Sequence, residues 1–148
     1  MKGNLLFLLL AAAAGVMMAL QGSMNGALGK IVGMLEGNFI VHAIGLAVVA
    51  IMLFLLGLGQ GSLKNMGEAP WYLYLGGLIN VAIIYGVMTS ISSLGAGPAT
   101  TAILVGQIIM SLVIDSFGLF GLEKLPFTWW RVAGVALMGG GSWMILCK

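Results

Sequence analysis

The sequence predicts an all-helical membrane protein, and two observations lead to that fold class: the composition and the length of the apolar blocks. Of 148 residues, 61% are hydrophobic and 7% are charged, and the mean hydropathy is +1.14. Soluble domains carry about 25% charged residues, so six basic and four acidic side chains could not solvate a water-exposed globule of this length. The apolar residues form long continuous blocks, whereas membrane β-barrels alternate over segments of about ten residues. A cytosolic enzyme is thereby excluded, and a net charge of +2 is too small and dispersed to indicate a nucleic-acid partner.

The length of the chain predicts five helical spans in a single membrane domain, residues 1–148. A helical span needs about 20 residues, so five spans with short loops fill the chain. Glycines, charged residues and prolines separate the apolar blocks at the expected loops. The expected spans are 5–28, 38–58, 71–94, 98–120 and 128–147. Aromatic residues favour the membrane interface, and those near an expected span end are Trp71, Tyr72, Trp129, Trp130 and Trp143.

The distribution of basic residues predicts the orientation of the spans. Cytoplasmic loops carry an excess of Lys and Arg. With five spans, the side of the N-terminus holds Lys2, Lys64, Lys124 and Arg131, and the opposite side holds Lys30 and Lys148. This small excess favours a cytoplasmic N-terminus, and it also permits insertion in both orientations.

The 24 glycines predict close approach between helices. Small residues let helices pack tightly in lipid, where no hydrophobic force drives their association. We expect tight packing that includes a subunit interface, although glycine is also simply common in membrane helices. The glycine patterns that suggest this are Gly22-x-x-x-Gly26, the four-residue repeat Gly29, Gly33 and Gly37, the pair Gly76-Gly77 and the triplet Gly139-Gly140-Gly141.

Polar residues inside the spans are the candidate binding residues, because such groups are costly in hydrocarbon and tend to face a partner or a cavity. Gln21 and Asn25 are four residues apart and share one face of the first span. Gln107, Ser111 and Asp115 form a similar stripe on the fourth span. Two such stripes could line one hydrophilic cavity, or their side chains could act as hydrogen bonds between helices. A third, less polar stripe lies on span three and consists of the hydroxyl-bearing residues Tyr85, Thr89 and Ser92 or Ser93.

Asp115 is the only acid well inside an apolar block. An ionisable group in that position is what a proton- or cation-coupled carrier uses. The alternative interpretation is that Asp115, followed by Gly118 and Gly121, only ends its helix near the interface. We interpret His42 as an interfacial or packed histidine and Asn80 as a packing contact.

The residues of the chain contain no set that indicates an enzyme. His42 is the only histidine and Asp115 the only membrane acid, so no Ser/His/Asp arrangement forms. Cys147 is the only cysteine, which excludes an internal disulfide and a cysteine metal site. We therefore predict neither catalytic activity, nor a metal, nor a cofactor.

Several motifs in the chain resemble one family of transporters. The sequence Gln21-Gly22-Ser23-Met24-Asn25 is followed by Leu28-Gly29, then by Gly76-Gly77, Gly106-Gln107 and the segment Asp115-Ser116-Phe117-Gly118-Leu119-Phe120-Gly121. Together they resemble the short, YdcZ-like branch of the drug/metabolite transporter superfamily over nearly the whole chain. Two positions depart from that pattern: Ser116 stands where the family often has histidine, and Asn80 stands where it has glycine.

The resemblance implies a multi-pass exporter in the bacterial inner membrane, with half of an inverted-repeat architecture in one chain. Short members of the superfamily assemble as antiparallel dimers, from one protein in both orientations or from two inverted homologues. On this basis we expect alternating access for a small polar or amphipathic solute, in which Asp115 either couples protons or orders the cavity. The expected solute-binding residues are Gln21, Asn25, Gln107, Ser111 and Tyr85. Two alternatives remain open: a dimeric, dual-topology ion channel and an accessory membrane subunit that transports nothing.

Overall fold

The computed structural model describes residues 2–126 and 128–147, and these residues form helices and loops without a strand. Five α-helices follow one another in this described part of the chain. A π-helical turn, Ile51–Leu55, continues the second, and a 3-10 turn, Trp71–Tyr74, precedes the third. Shorter 3-10 turns lie in the loops at Leu63–Glu68 and Leu119–Gly121. The α-helices are α1 (Lys2–Val32), α2 (Met34–Ala50), α3 (Leu75–Leu94), α4 (Ala96–Phe117) and α5 (Trp129–Leu146).

Among the residues that the structure describes, four helical segments are long and apolar enough to cross a membrane: Leu5–Val32, Met34–Leu55, Trp71–Leu94 and Ala96–Phe117. The prediction of an all-helical, multi-pass membrane protein is therefore confirmed. The predicted count of five spans is not confirmed. Helix α5 has 18 residues, but Arg131, three tryptophans and four glycines lower its hydropathy relative to the other four segments.

The chain divides into two compact units, one ending at Ser92 and the other beginning at Ser93. In the first unit, a single residue separates α1 from α2. Gly33 has φ 105° and ψ 147°, a conformation that is essentially restricted to glycine. Its N–H donates to the carbonyl of Gly29 (3.0 Å), and its own carbonyl accepts from the N–H of Gly37 (2.9 Å). The loop expected between residues 28 and 38 is therefore almost entirely helical, because one glycine makes the turn.

In the first unit, side chains of α3 pack against glycines of α1 and α2. Met88 of α3 is fully buried, and a Cβ atom placed on Gly37 would lie 2.8 Å from its methyl carbon. A Cβ on Gly22 would likewise lie 2.8 Å from Cδ1 of Ile91. A Cβ at either position would force one of these flexible side chains to shift. Glycine at both positions therefore permits the predicted tight packing of helices. It occurs here within one chain.

In the second unit, glycines with positive φ begin and end α4. Gly95 (φ 89°) precedes the helix, and Gly118 (φ 62°, ψ 41°) ends it in the left-handed conformation. The expected fourth span, 98–120, therefore ends three residues early, because the chain turns at Gly118. The N–H of Leu125 then donates to the carbonyl of Asp115 (3.0 Å), which folds the connection back onto α4 before α5 begins.

Candidate functional site

A polar cavity in the first unit contains one polar side chain from each of its three helices. Gln21 comes from α1, His42 from α2 and Asn80 from α3, and the cavity volume is about 380 Å³. At about 1.5 Å per residue, each of these residues lies roughly 12 Å or more from the nearer end of its apolar segment (Leu5–Val32, Met34–Leu55 or Trp71–Leu94). That depth is close to the midplane of a hydrocarbon core about 30 Å thick. Apolar residues and one glycine complete the lining: Val41, Gly45, Leu46, Val49 and Ile84.

Both ring nitrogens of His42 have hydrogen-bond partners. Nδ1 lies 2.9 Å from the backbone carbonyl oxygen of Asn38, and Nε2 lies 3.1 Å from Nδ2 of Asn80. A carbonyl oxygen can only accept, so Nδ1 carries the proton and Nε2 accepts from the Asn80 amide. With the Asn80 amide oriented so that Nδ2 faces Nε2, this arrangement corresponds to the Nδ1–H tautomer of the imidazole. A protonated imidazole would donate from both nitrogens, and a flip of the Asn80 amide would then present an oxygen to Nε2.

Asn38 connects the same part of α2 to α3. Its side chain is 1% exposed, and Nδ2 donates to the carbonyl of Val81 (2.9 Å). Its Oδ1 is buried and has no hydrogen-bond partner within the described residues. An unpaired buried acceptor is unfavourable, and it lies beside a further cavity of about 320 Å³ that Asn38 and His42 both line. Asn38 and His42 therefore give α2 a continuous polar edge facing α3.

Gln21 and Asn25 line a common groove on α1, as their spacing predicts. The groove has a volume of about 540 Å³ and is otherwise lined by apolar residues of the same helix, including Met17, Met18 and Met24. Asn25 is buried (8% exposed), whereas Gln21 is exposed. Gln21 lines this groove as well as the polar cavity, so it lies at the boundary between the two.

The hydroxyl groups of the candidate residues on α3 and α4 bond to their own helices. Thr89 donates to the carbonyl of Tyr85 (2.9 Å), and Ser111 donates to the carbonyl of Ile108 (2.9 Å). Such local bonds satisfy a hydroxyl in an apolar environment without a ligand. Tyr85 is 45% exposed and is not part of the lining of the polar cavity.

The remaining candidates, Gln107 and Asp115, lie on α4 in the second unit. Gln107 is exposed, and Asp115 is half-buried in the last turn before Gly118. The structure thus brings Gln21 together with His42 and Asn80, residues that the sequence alone suggested were packing contacts. The spacing of Asn38 and His42, four residues apart on one helix, is the signal that could have identified them. Asn80 could not have been found in this way, because its pairing with His42 depends on how α2 meets α3.

The fold and the polar cavity define a multi-pass helical membrane protein with polar side chains inside its spans. The family described as "Putative inner membrane exporter, YdcZ" matches residues 6–144, and the chain belongs to this family. The family resemblance inferred from the motifs is thereby confirmed, and export is a transport function, not an enzymatic one. No curated protein and no solved structure matches the chain.

Proposed function

We propose that the protein exports a small polar or amphipathic solute, and that Gln21 and Asn80 bind it in the cavity that His42 also lines. The observation that carries this proposal is the polar cavity near the middle of three spans. Carriers bind their substrates near the membrane midplane, and polar side chains at this depth are retained where they face a cavity or a partner. The apolar part of the lining would accept the hydrocarbon portion of an amphipathic solute.

The available hydrogen-bonding groups indicate what kind of solute fits. No described residue forms a hydrogen bond with the Gln21 side chain, so its amide can both donate to and accept from a ligand. Asn80 uses one amide hydrogen on His42 and keeps its oxygen available. The cavity lining contains no carboxylate, lysine or arginine. Neutral hydroxyl, amide or amine groups suit this set better than a strongly charged group would.

A second copy of the chain would complete the transporter. We propose an antiparallel dimer, either of this protein in both orientations or with an inverted homologue. The weak excess of basic residues on one side supports it, since it permits both orientations. The triplet Gly139–Gly141 supports it too, because a Cβ at any of these positions would meet nothing within 4 Å in the described chain. In this dimer, Asn25 would extend the binding surface along α1, and Gln107 would belong to the surface that α4 contributes.

The proposal is tested by transport of a defined mixture of small solutes. Proteoliposomes are incubated with amino acids, sugars, amines and organic acids, and the retained compounds are identified by mass spectrometry. We expect the protein to accumulate at least one solute, and Asn80→Ala to reduce that accumulation about tenfold, since an unpaired polar contact at the site costs on the order of 1–3 kcal/mol. Asn65→Ala is the matched control, because Asn65 lies in the exposed 3-10 turn between α2 and α3.

Two results would contradict the proposal in different ways. Failure of every solute class to accumulate above empty vesicles would contradict export of a small polar solute. Accumulation that Asn80→Ala and Asn65→Ala leave equally unchanged would leave export standing and remove the polar cavity as the binding site.

A further inference from the structure

The second unit contains a cavity that the proposed export site does not use. It lies between the last turn of α4 and the first turn of α5 and has a volume of about 410 Å³. Four of the six residues that line it are apolar: Leu112, Val113, Phe117 and Val132. The other two are Ser116 of α4 and Arg131 of α5. One cation at the edge of an apolar cavity is the arrangement expected for an amphipathic anion.

The main evidence for a bound anion is an unpaired hydrogen-bond donor of Arg131. Its Nη1 atom is buried and has no hydrogen-bond partner within the described residues. A guanidinium carries five N–H donors and keeps its charge. Burying such a donor without a partner is unfavourable. An anionic oxygen in the cavity would pair with Nη1 and remove that cost.

Among the described residues, no acidic side chain lines the cavity beside Arg131. The position next to its guanidinium is therefore open to an external anion. Asp115 precedes Ser116 on α4, but it does not line the cavity. Its backbone carbonyl accepts from Leu125, which places the connection between the helices beside it. Glu123 and Lys124 are exposed residues of that connection, and neither lines the cavity. Within the described chain, Arg131 is thus the charged group that faces the cavity.

We propose that this cavity binds an anionic amphiphile, with its phosphate or carboxylate on Arg131 and its hydrocarbon chain between α4 and α5. Trp129 and Trp130 open α5 immediately before Arg131. Tryptophans of this kind mark the level of the lipid headgroups, and basic pockets between membrane helices bind anionic headgroups. Ser116 adds a hydroxyl donor on the opposite wall.

Decyl phosphate is the first probe, titrated into the purified full-length chain in zwitterionic nanodiscs. Binding is followed by tryptophan fluorescence, since Trp129 and Trp130 directly precede Arg131 in the chain. We expect Arg131→Gln to weaken binding at least about tenfold, because it removes a charge-assisted hydrogen bond. Lys124→Gln removes one positive charge from the neighbouring connection and is expected to change binding less than about twofold, as screened surface charges do. Decanol lacks the phosphate group, and inorganic phosphate lacks the hydrocarbon chain. Each is therefore expected to bind at least tenfold more weakly than decyl phosphate.

A second variant keeps the proposal testable if Arg131→Gln does not fold. Val132→Trp keeps Arg131 and fills the apolar part of the cavity, so it should also weaken binding of decyl phosphate about tenfold. Equal weakening by Arg131→Gln and Lys124→Gln would overturn the proposal, because it would mean non-specific attraction to charge. Decanol binding as tightly as decyl phosphate, or no decyl phosphate binding at all, would overturn it too.

The source of the anion is distinguished by lipid. Native mass spectrometry compares phosphatidylglycerol with phosphatidylcholine on the wild type and on Arg131→Gln. Retention of phosphatidylglycerol that depends on Arg131 supports a bound membrane lipid. Binding of decyl phosphate that depends on Arg131, without retention of phosphatidylglycerol, supports a soluble amphipathic anion.

Discussion

Among single residues, His42 and Asp115 are the two candidates for coupling transport to protons. They differ in their surroundings. His42 has hydrogen-bond partners on both ring nitrogens, and a change in its charge requires the Asn80 amide to reorient. Asp115 is half-buried in the last turn of α4, three residues before Gly118 ends the helix. We propose Asp115 as the coupling group, and the position of His42 inside the binding cavity makes it the alternative.

Replacement of Asp115 by asparagine should abolish solute flux driven by a pH gradient and leave assembly intact. Asparagine keeps the size of the side chain but cannot take up or release a proton on either side of the pH gradient. Flux is measured in proteoliposomes with an imposed pH gradient, and assembly by size-exclusion chromatography. Glu123→Gln is the matched control, since Glu123 is an exposed acid of the following loop. Unchanged flux in Asp115→Asn, together with loss of pH-driven flux in His42→Gln, would assign the coupling to His42 instead.

At the scale of helices, the turn between α1 and α2 depends on one residue. Gly33→Ala should lower the free energy of unfolding by about 1–3 kcal/mol, because a residue with a Cβ is strained at φ 105° and ψ 147°. Gly45→Ala is the matched control in α2: a Cβ there would meet nothing within 4 Å, and alanine should be neutral or stabilising by up to about 1 kcal/mol. Denaturation in detergent, followed by circular dichroism, gives both values. Equal stability of the two variants would mean that the turn does not depend on glycine.

The helices could be predicted from the sequence, and their contacts could not. Long apolar blocks and their breaks placed most helix ends to within a few residues, because hydropathy and glycine act locally. The second helix begins earlier than the expected 38–58, and α2 ends at Ala50, from which a π-helical turn continues only to Leu55. The exceptions are local as well: Gly33 replaces an expected loop, and Gly118 ends α4 before the expected position. Hydropathy could not show that Asn80 meets His42 or that Met88 packs against Gly37, since both contacts depend on the approach of α3 to α2. For the same reason, the candidate site could be predicted only as far as Gln21 and Asn25 on a single helix.

For the whole molecule, the proposed dimer depends on surfaces that the single chain leaves uncovered. Gly139, Gly140 and Gly141 are glycines of α5 with open space where a side chain would be. In lipid, helices associate where small residues let their backbones approach. The glycines that receive α3 are already occupied within the chain, whereas the α5 triplet, like Gly15 and Gly45, is open, and we propose α5 as the surface for a second copy. This contrast makes it possible to test association separately from folding.

Gly140→Leu should weaken the dimer while leaving the fold of each chain unchanged. The leucine side chain would hold apart two α5 helices that must approach closely, and we expect at least a tenfold rise in the dissociation constant, or about 1.4 kcal/mol. Gly15→Leu on α1 is the matched control, because a Cβ at Gly15 also meets nothing within 4 Å. Dimer fractions are measured by Förster transfer between labelled copies in liposomes at several protein-to-lipid ratios. Equal dimer fractions for Gly140→Leu and Gly15→Leu would exclude α5 as the interface.

The orientation of the two copies is determined with a reporter that is fused after residue 148 and read on each side of the membrane. Signal on both sides would support one protein in two orientations, and signal on one side would mean that an inverted homologue supplies the second half.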